Sequence, residues 1–429
     1  MHGKRIDRIA EQIHSELAEL IENEVADPRV GSVTVTGVRL SGDGKQARVG
    51  VSPLDPNANE QECLRGLESA RQFLRRELAA RLQLRYTPEV NFFIDHGPHY
   101  AERVAALLDR IKKRTPLALL LLATVLRAEL VRYENSVVAM GSVYTIAAYG
   151  EDRGQLSAGV GAALQEARRI DDLLSNYKTE SELSEINRDA GQKPVKVSPE
   201  LFALLEKCQE YSRASDGAFD WTVGPLLRVW GFYKGSGRLP GRDEVAHALI
   251  SVGYQHIQLD GRLRTVRFDV PGVELDPGGI GKGYAVDRMA DVLRDAGLGT
   301  ALISAAGSSI YAIGAPPGET GWHVRIRDPK DEKTTVAEVY LKDQSLSTSG
   351  TYEKFFEAEG KVYSHIMDPR TGYPAQGMLS VSVIAPKTLD SEAWTKPFFI
   401  NGAAWARKHR PDGFRVLLCE EARPCYWAP

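Results

Sequence analysis

The feature that most constrains this chain lies near its middle, in the stretch KKRTPLALLLLATVLRA at residues 112–128. Lys112, Lys113 and Arg114 precede an unbroken run of apolar or small residues, Pro116–Leu126. A cationic patch, a short apolar run and a small-residue end is the pattern of a secretory signal. The run is too short for a standard membrane-spanning helix, which needs about 20 residues. Three readings are open. It is an internal export or anchor segment with its basic side cytoplasmic, the trace of two neighbouring genes read as one, or a buried helix between two soluble domains. On each of them the chain divides into residues 1–114, a linker at 115–130, and residues 131–429. The opening stretch, MHGKRIDRIAEQIHSEL, carries charges throughout and does not read as a signal peptide. With 43% hydrophobic and 26% charged residues, the chain has ordinary globular composition, which excludes wholesale disorder, collagen-like repeats and multi-span membrane architecture.

The first half reads as α-β-β-α-β-α. Ile6, Ile9, Ile13, Leu17, Leu20 and Ile21 recur at helical spacing over 4–25, and Asp27-Pro28 stops that helix. SVTVTGVRLS (32–41) and QARVGVSP (46–53) read as a hairpin around Ser41-Gly42-Asp43-Gly44. A helix over 60–84, a strand over 88–95 and a helix over 101–114 follow. The net charge of −3 gives no chain-wide basic signature, but 65–85 is locally rich in arginine. Arg71, Arg75, Arg76, Arg81 and Arg85 are candidate RNA contacts, because guanidinium groups displace condensed counterions from phosphate; a solvated helix face is the alternative.

RIDRIAEQIHSELAELI, Asp27-Pro28-Arg29, VTVTGVRLSGDGKQARVGVS and LRRELAARLQLRYTPEVNFFID occur in order along residues 4–113. On these blocks the first half resembles ribosome-binding factor A. The resemblance implies a KH-like fold and, as partners, the maturing small (30S) ribosomal subunit and its 16S rRNA. It implies no catalytic residue. The G-x-x-G clamp of ordinary KH domains is absent, and Glu68-Ser69-Ala70 stands where that family kinks the helix.

The second half reads as mixed α+β with mainly antiparallel strands. A strand is expected over 136–150 and helices over 158–174, 182–187, 198–214 and 284–296. Further strands are expected at 273–277, 300–314, 321–328, 335–341, 360–367, 378–385 and 414–419. Asp276-Pro277-Gly278-Gly279-Ile280-Gly281-Lys282-Gly283 precedes a helix, where backbone N–H groups favour an anion. It is neither a Walker loop nor a dinucleotide fingerprint, and a tight structural turn remains open. Ser347-Thr348-Ser349-Gly350-Thr351 is a hydroxyl cluster that reads as a bend. His365, Asp368 and Arg370 fall within six positions, where an Asp orients an imidazole and an Arg meets phosphate. With Trp221, Trp230 and Phe232 these clusters point to a large phosphorylated aromatic ligand. Four cysteines are too few for a disulfide framework; Cys419 and Cys425 read first as two separate thiols, with a disulfide between them the alternative in an oxidising compartment.

Met140-Gly141-Ser142, LLSNYKTESELSEINR, DGAFDWTVGPL with WGF, DPGGIGKGYAVD, STSGTYEK and HIMDPRTGYP run in order through 136–420. On these the second half resembles the FAD:protein FMN transferases, the ApbE family. The resemblance implies a transferase that splits FAD at its pyrophosphate with Mg²⁺, attaches FMN to a Thr or Ser of a flavin-acceptor protein, and releases AMP. It implies that Met140, Tyr177, Asp220, Asp276, Lys282, Thr348, Ser349 and Gly350 line the FAD cleft. His365 is implied as catalytic, with Asp368 and Arg370 holding its turn. Gly279, Asp390 and Thr395 are implied for the metal, with Glu392 as alternative. Two positions depart from the family pattern. The metal pattern Asp-x-x-x-Thr is one residue longer here, and Ala306 adds a methyl where Gly is usual. The expected fold class is thus α+β, a KH-like unit fused to a flavin transferase. The alternatives are a ribosome-associated protein with a non-catalytic flavin-binding half, or an FAD hydrolase. The first half is expected in the cytoplasm. The second is expected there too, or anchored or periplasmic if 112–128 exports it.

Overall fold

The computed structural model describes residues 130–428, apart from 235–236 and 332, and most of 13–94 (13–14, 16–21, 24–25, 27, 29–30, 33–40, 45–53, 59–82 and 87–94). The 101–114 helix, the apolar run and Arg85 lie outside the described residues. The chain divides into two compact units, Met1–Thr124 and Val125–Pro429. Among the described residues no helix is long and apolar enough to cross a membrane.

In the first unit β1 (Val33–Leu40) and β2 (Gln46–Pro53) form the expected antiparallel hairpin. Helix α1 (Glu60–Leu82) then crosses over so that β3 (Glu89–Ile94) pairs parallel to β2. Helical residues 13–14 and 16–21 supply Ile13, Leu17, Leu20 and Ile21 to a core with Val49, Val51, Leu67, Leu74 and Leu78. α1 runs unbroken through Glu68-Ser69-Ala70. Gly66 lets it approach the preceding turn, since a Cβ there would lie 2.7 Å from Val30 Cγ2.

The second unit is built on one fully antiparallel eight-stranded sheet. Its strands are β4 (Val131–Ala139), β5 (Ser142–Gly150), β9 (Ala301–Ala305), β10 (Ser309–Ile313), β13 (Gln344–Gly350), β18 (Met378–Ala385), β19 (Arg415–Glu420) and β20 (Tyr426–Trp427). Their order is β20-β19-β18-β13-β10-β9-β5-β4. The segment expected as one strand over 136–150 is instead a hairpin. Met140 and Gly141 take φ values of 47° and 66°, the turn that suits twisted antiparallel strands, and alternation alone does not reveal a two-residue turn. The 300–314 segment is likewise two strands, turning at Ala306 (φ 50°) and Gly307 (φ 72°). Residues 273–277 form no strand, only an isolated bridge from Glu274 to Val223.

Helices α2 (Arg153–Leu174), α7 (Gly281–Asp295) and α8 (Thr388–His409) cover one face of this sheet. Asp152 starts α2 by accepting the N–H groups of Gly154 and Gln155. The hairpin β11 (Trp322–Arg327) and β12 (Thr335–Leu341) seals the other face through Ile310, Leu346, Trp322, Val324 and Leu341. Between α2 and α7 run α3 (Glu182–Asp189), β6 (Val195–Lys196), α4 (Pro199–Ala214), α5 (Gly224–Val229), α6 (Arg242–Leu249), β7 (Ile257–Asp260) and β8 (Thr265–Phe268). Short pairs β14 (Phe355–Ala358) with β15 (Lys361–Ser364), and β16 (Met367–Asp368) with β17 (Tyr373–Pro374), lie against Trp230. Trp230 and Trp221 are buried core residues, and the Trp230 indole donates to Gly372 O at 2.9 Å, so neither is a ligand platform.

Cys419 and Cys425 form a disulfide between the end of β19 and the start of β20, where we expected separate thiols. The β19–β20 pairing supplies the proximity that spacing alone does not. Closing so short a loop contributes about 2 kcal/mol on a chain-entropy basis. Denatured without reductant, the protein should take up iodoacetamide at two of its four cysteines, and at all four after reduction. Labelling of all four without reductant would contradict the pairing.

Candidate active site

The site grows from the meeting of α7 and α8. A Cβ at Gly283 would lie 2.5 Å from Thr388 O and 2.8 Å from Glu392 Oε2, so only glycine admits this approach. Glu392 accepts the Gly283 N–H. One turn on, Asp287 accepts the N–H groups of Thr388 and Leu389 at 2.7 and 2.9 Å. Burial pushes the Asp287 carboxyl up to about 6, against the pull of those two donors.

This lock brings several expected residues together. Lys282 donates to Ser308 Oγ at 2.7 Å. The Ser349 and Thr395 hydroxyls pair at 2.8 Å. Thr395 Oγ1 and Lys396 Nζ both donate to the Glu392 carbonyl, at 2.7 and 3.0 Å. Lys396 Cε lies 3.6 Å from the position a Cβ would take at Gly279. Asp276 caps the glycine turn, accepting from Gly278 N at 2.9 Å, and from Asn176 Nδ2 and the Tyr233 hydroxyl, each at 2.8 Å. Met140 packs against the same turn, its Sδ 3.6 Å from a Cβ placed at Gly281.

His365 is partly buried, and its Nδ1 lies 3.1 Å from the Lys354 carbonyl. A carbonyl only accepts, so Nδ1 carries the proton and Nε2 keeps its lone pair. Burial pushes this imidazole down to about 4, and the charges of Lys354, Lys396 and Lys282 act in the same direction. Burial likewise pushes Lys396 down to about 8, opposed by Glu392 and aided by Lys282. The fields of Lys354, Lys396 and Lys282 thus all reach the one imidazole.

Other expected residues go elsewhere. The hydroxyl cluster is not a bend but strand β13, whose alternation splits it. Ser347 and Ser349 face α8. Thr348 faces the other side, pairing with Ser382 at 2.7 Å and lining a cavity of about 270 Å³ with Ala306, Ser308, Arg327 and Tyr352. Ala306 thus brings its methyl to that cavity. Gly350 leaves room for the Tyr352 ring, which would lie 2.5 Å from a Cβ at that position. The Asp220 carboxylate is occupied internally by Thr222 and the Tyr254 N–H. Asp368 and Arg370 form a closed ion pair at 2.9 Å. Tyr177 is 74% exposed and touches the site through the edge of Tyr233. Sequence reasoning missed Lys396, Ser308 and Tyr233; the signal for Lys396 was a lone cation in the otherwise apolar run TKPFFI.

The implied Mg²⁺ is a hard cation that needs several oxygen ligands. The residues present do not fit it. Asp390 Oδ1 takes the Tyr211 hydroxyl at 2.5 Å, away from Thr395. Lys396 puts an ammonium beside Thr395 and Gly279. Glu392, the alternative acid, gives an oxygen to the Gly283 N–H.

The sequence pattern of the ApbE family matches residues 140–417, and that of ribosome-binding factor A matches 5–108. An FAD:protein FMN transferase from Klebsiella pneumoniae is 35% identical over 271 residues, spanning 62% of this chain and 82% of that protein. One from Treponema pallidum is 32% identical, spanning 64% and 80%. The ApbE protein of Thermotoga maritima superposes with a TM-score of 0.63 at 32% identity, covering 69% of this chain and 96% of its own.

His365 has the sign of a buried neutral imidazole. Its folded pKa lies below the unfolded value, so the unfolded chain binds the extra proton. Stability from this group is intact above about pH 6.5 and is lost as pH falls toward 4. In NMR the His365 ring should titrate near pH 4; a midpoint near 6.5 would contradict the geometry.

Proposed function

The chain belongs to the ApbE family, and from that premise we propose that residues 131–429 transfer the FMN half of FAD to a Ser or Thr hydroxyl of an acceptor protein. The observation that carries this reading is the pair of ammonium groups, Lys282 on Ser308 Oγ and Lys396 on the Glu392 carbonyl, at the α7–α8 junction, with the His365 imidazole within their fields. The acceptor oxygen bonds to the FMN phosphorus as the bond from that phosphorus to the AMP-side oxygen breaks. The hydroxyl proton passes to His365 Nε2, and AMP leaves with its charge facing Lys282 and Lys396.

Residues 1–114 in this reading bind the small ribosomal subunit through 16S rRNA, and 115–130 link the two units. Among the candidate arginines, Arg81 is held by Glu16, Glu19 and Glu24, and Arg71 by Glu68. Arg75 reaches the Thr87 carbonyl at 3.4 Å. Arg76 meets Glu77 only at 3.8 Å and its side chain is 74% exposed, so among the described arginines it is the one best placed for phosphate. The first unit works in the cytoplasm. The Cys419–Cys425 disulfide favours export of the second, through the 112–128 segment.

Full-length protein with FAD and a library of Ser- and Thr-containing peptides should release AMP and leave flavin covalently on peptide. Free FMN with no flavinylated peptide would indicate a hydrolase, and no AMP at all would refute the transferase. His365→Ala should slow transfer by about 10²–10⁴-fold. In co-sedimentation with small subunits, Arg76→Ala should weaken binding and flatten the salt dependence by about one unit of slope. Binding indifferent to salt would refute a phosphate-dominated contact.

A further inference from the structure

Resting on the transferase reading, we propose that the Lys396 ammonium takes the place of the divalent cation in this chain, so that flavin transfer here needs no metal.

Helix geometry supplies the first argument. Asp-x-x-x-Thr sets two oxygen ligands on one helical face, about 40° apart at 100° per residue. Four positions before Thr395 on α8 stands Ser391, not an acid. Its hydroxyl is neutral and already engaged with Ser345 Oγ at 3.0 Å, Ser347 Oγ at 2.8 Å and Thr388 O at 3.1 Å. Asp390 is five positions away, turned about 140° from Thr395, and faces Tyr211. The acid that does share this face, Glu392 three positions before Thr395, gives an oxygen to the Gly283 N–H.

Position supplies the second. Lys396 Nζ shares the Glu392 carbonyl with Thr395 Oγ1 and lies beside Gly279, so the ammonium stands among the residues the metal would need. It has three donors, one of which goes to Glu392 O, leaving two for phosphate oxygens. Charge supplies the third. Lys282 puts a second ammonium at this junction, next to the Gly283 that meets Glu392 and donating to Ser308 Oγ at 2.7 Å. Glu392, the acid acting on Lys396, gives an oxygen to the Gly283 N–H. A divalent ion would enter a place already positive. In the transfer step the AMP phosphate leaves against Lys396 and Lys282.

Full-length protein stripped of metal is titrated with MnCl₂, and the free ion is read by electron paramagnetic resonance, with and without FAD. We expect no equivalent of Mn²⁺ bound per chain at micromolar concentrations, and AMP release from FAD unchanged by EDTA. Lys396→Met should lower AMP release at least about tenfold and weaken FAD binding as read by flavin fluorescence. The double variant Ser391→Asp with Lys396→Met should bind one Mn²⁺. One tightly bound Mn²⁺ in the unaltered protein, or activity lost in EDTA and restored by Mg²⁺, would overturn the proposal. If no AMP forms under any condition the transferase reading fails, while the Mn²⁺ titration decides the metal question by itself.

Discussion

The absence of a side chain at Gly283 is the constraint on which the site depends. It lets the first turn of α7 lie against the first turns of α8, and the two helices then exchange caps. Glu392 of α8 takes an N–H from α7, and Asp287 of α7 takes two from α8. Each carboxylate sits at the positive end of the other helix, which offsets part of the cost of burying it. Because the caps are reciprocal, the offset between the helices is fixed, and with it the separation of Lys282 from Lys396. A site that gathers cations needs such an anchor, since the charges it collects repel one another until an anion arrives.

Much of this was legible in the chain. Alternation and β-branched residues gave β1, β2, β11, β12, β18 and β19 nearly to their ends, and helical spacing with caps gave α1, α3 and α4. The glycine turn at 276–283 was readable as the mouth of a helix, and the structure shows what its last glycine is for. What stayed hidden were facts about partners. A two-residue turn at Met140-Gly141 leaves no break in an alternating pattern. Whether Asp390 or Ser391 shares a face with Thr395 depends on counting helical turns, while sequence similarity invites counting carboxylates. Trp221 and Trp230 looked like ligand platforms because composition does not say whether an aromatic is covered.

The first unit teaches the same lesson about charge. Arginines along 65–85 look like a phosphate footprint when counted against acids on the same helix. The acids that hold Arg81 come from residues 16, 19 and 24, far away in sequence. Only the fold brings them within reach, so a cluster readable as available is partly neutralised by acids on the unit's first helix and the turn after it. Exposed pairs of this kind add little stability but do decide which guanidinium groups are open to a partner.

The division of β13 into two chemistries carries a consequence for how this chain tolerates change. Ser345, Ser347 and Ser349 line up toward α8, while Leu346 and Thr348 look to the hairpin side. Swapping one hydroxyl for another preserves that sorting. Deleting or inserting a single residue upstream in the strand does not, because the pleat repeats every two positions and the whole row would trade sides. A leucine would then press on the α8 hydroxyls, and serines would face the aliphatic seal. Drift in this segment is thus confined to letter-for-letter exchange, with length held constant.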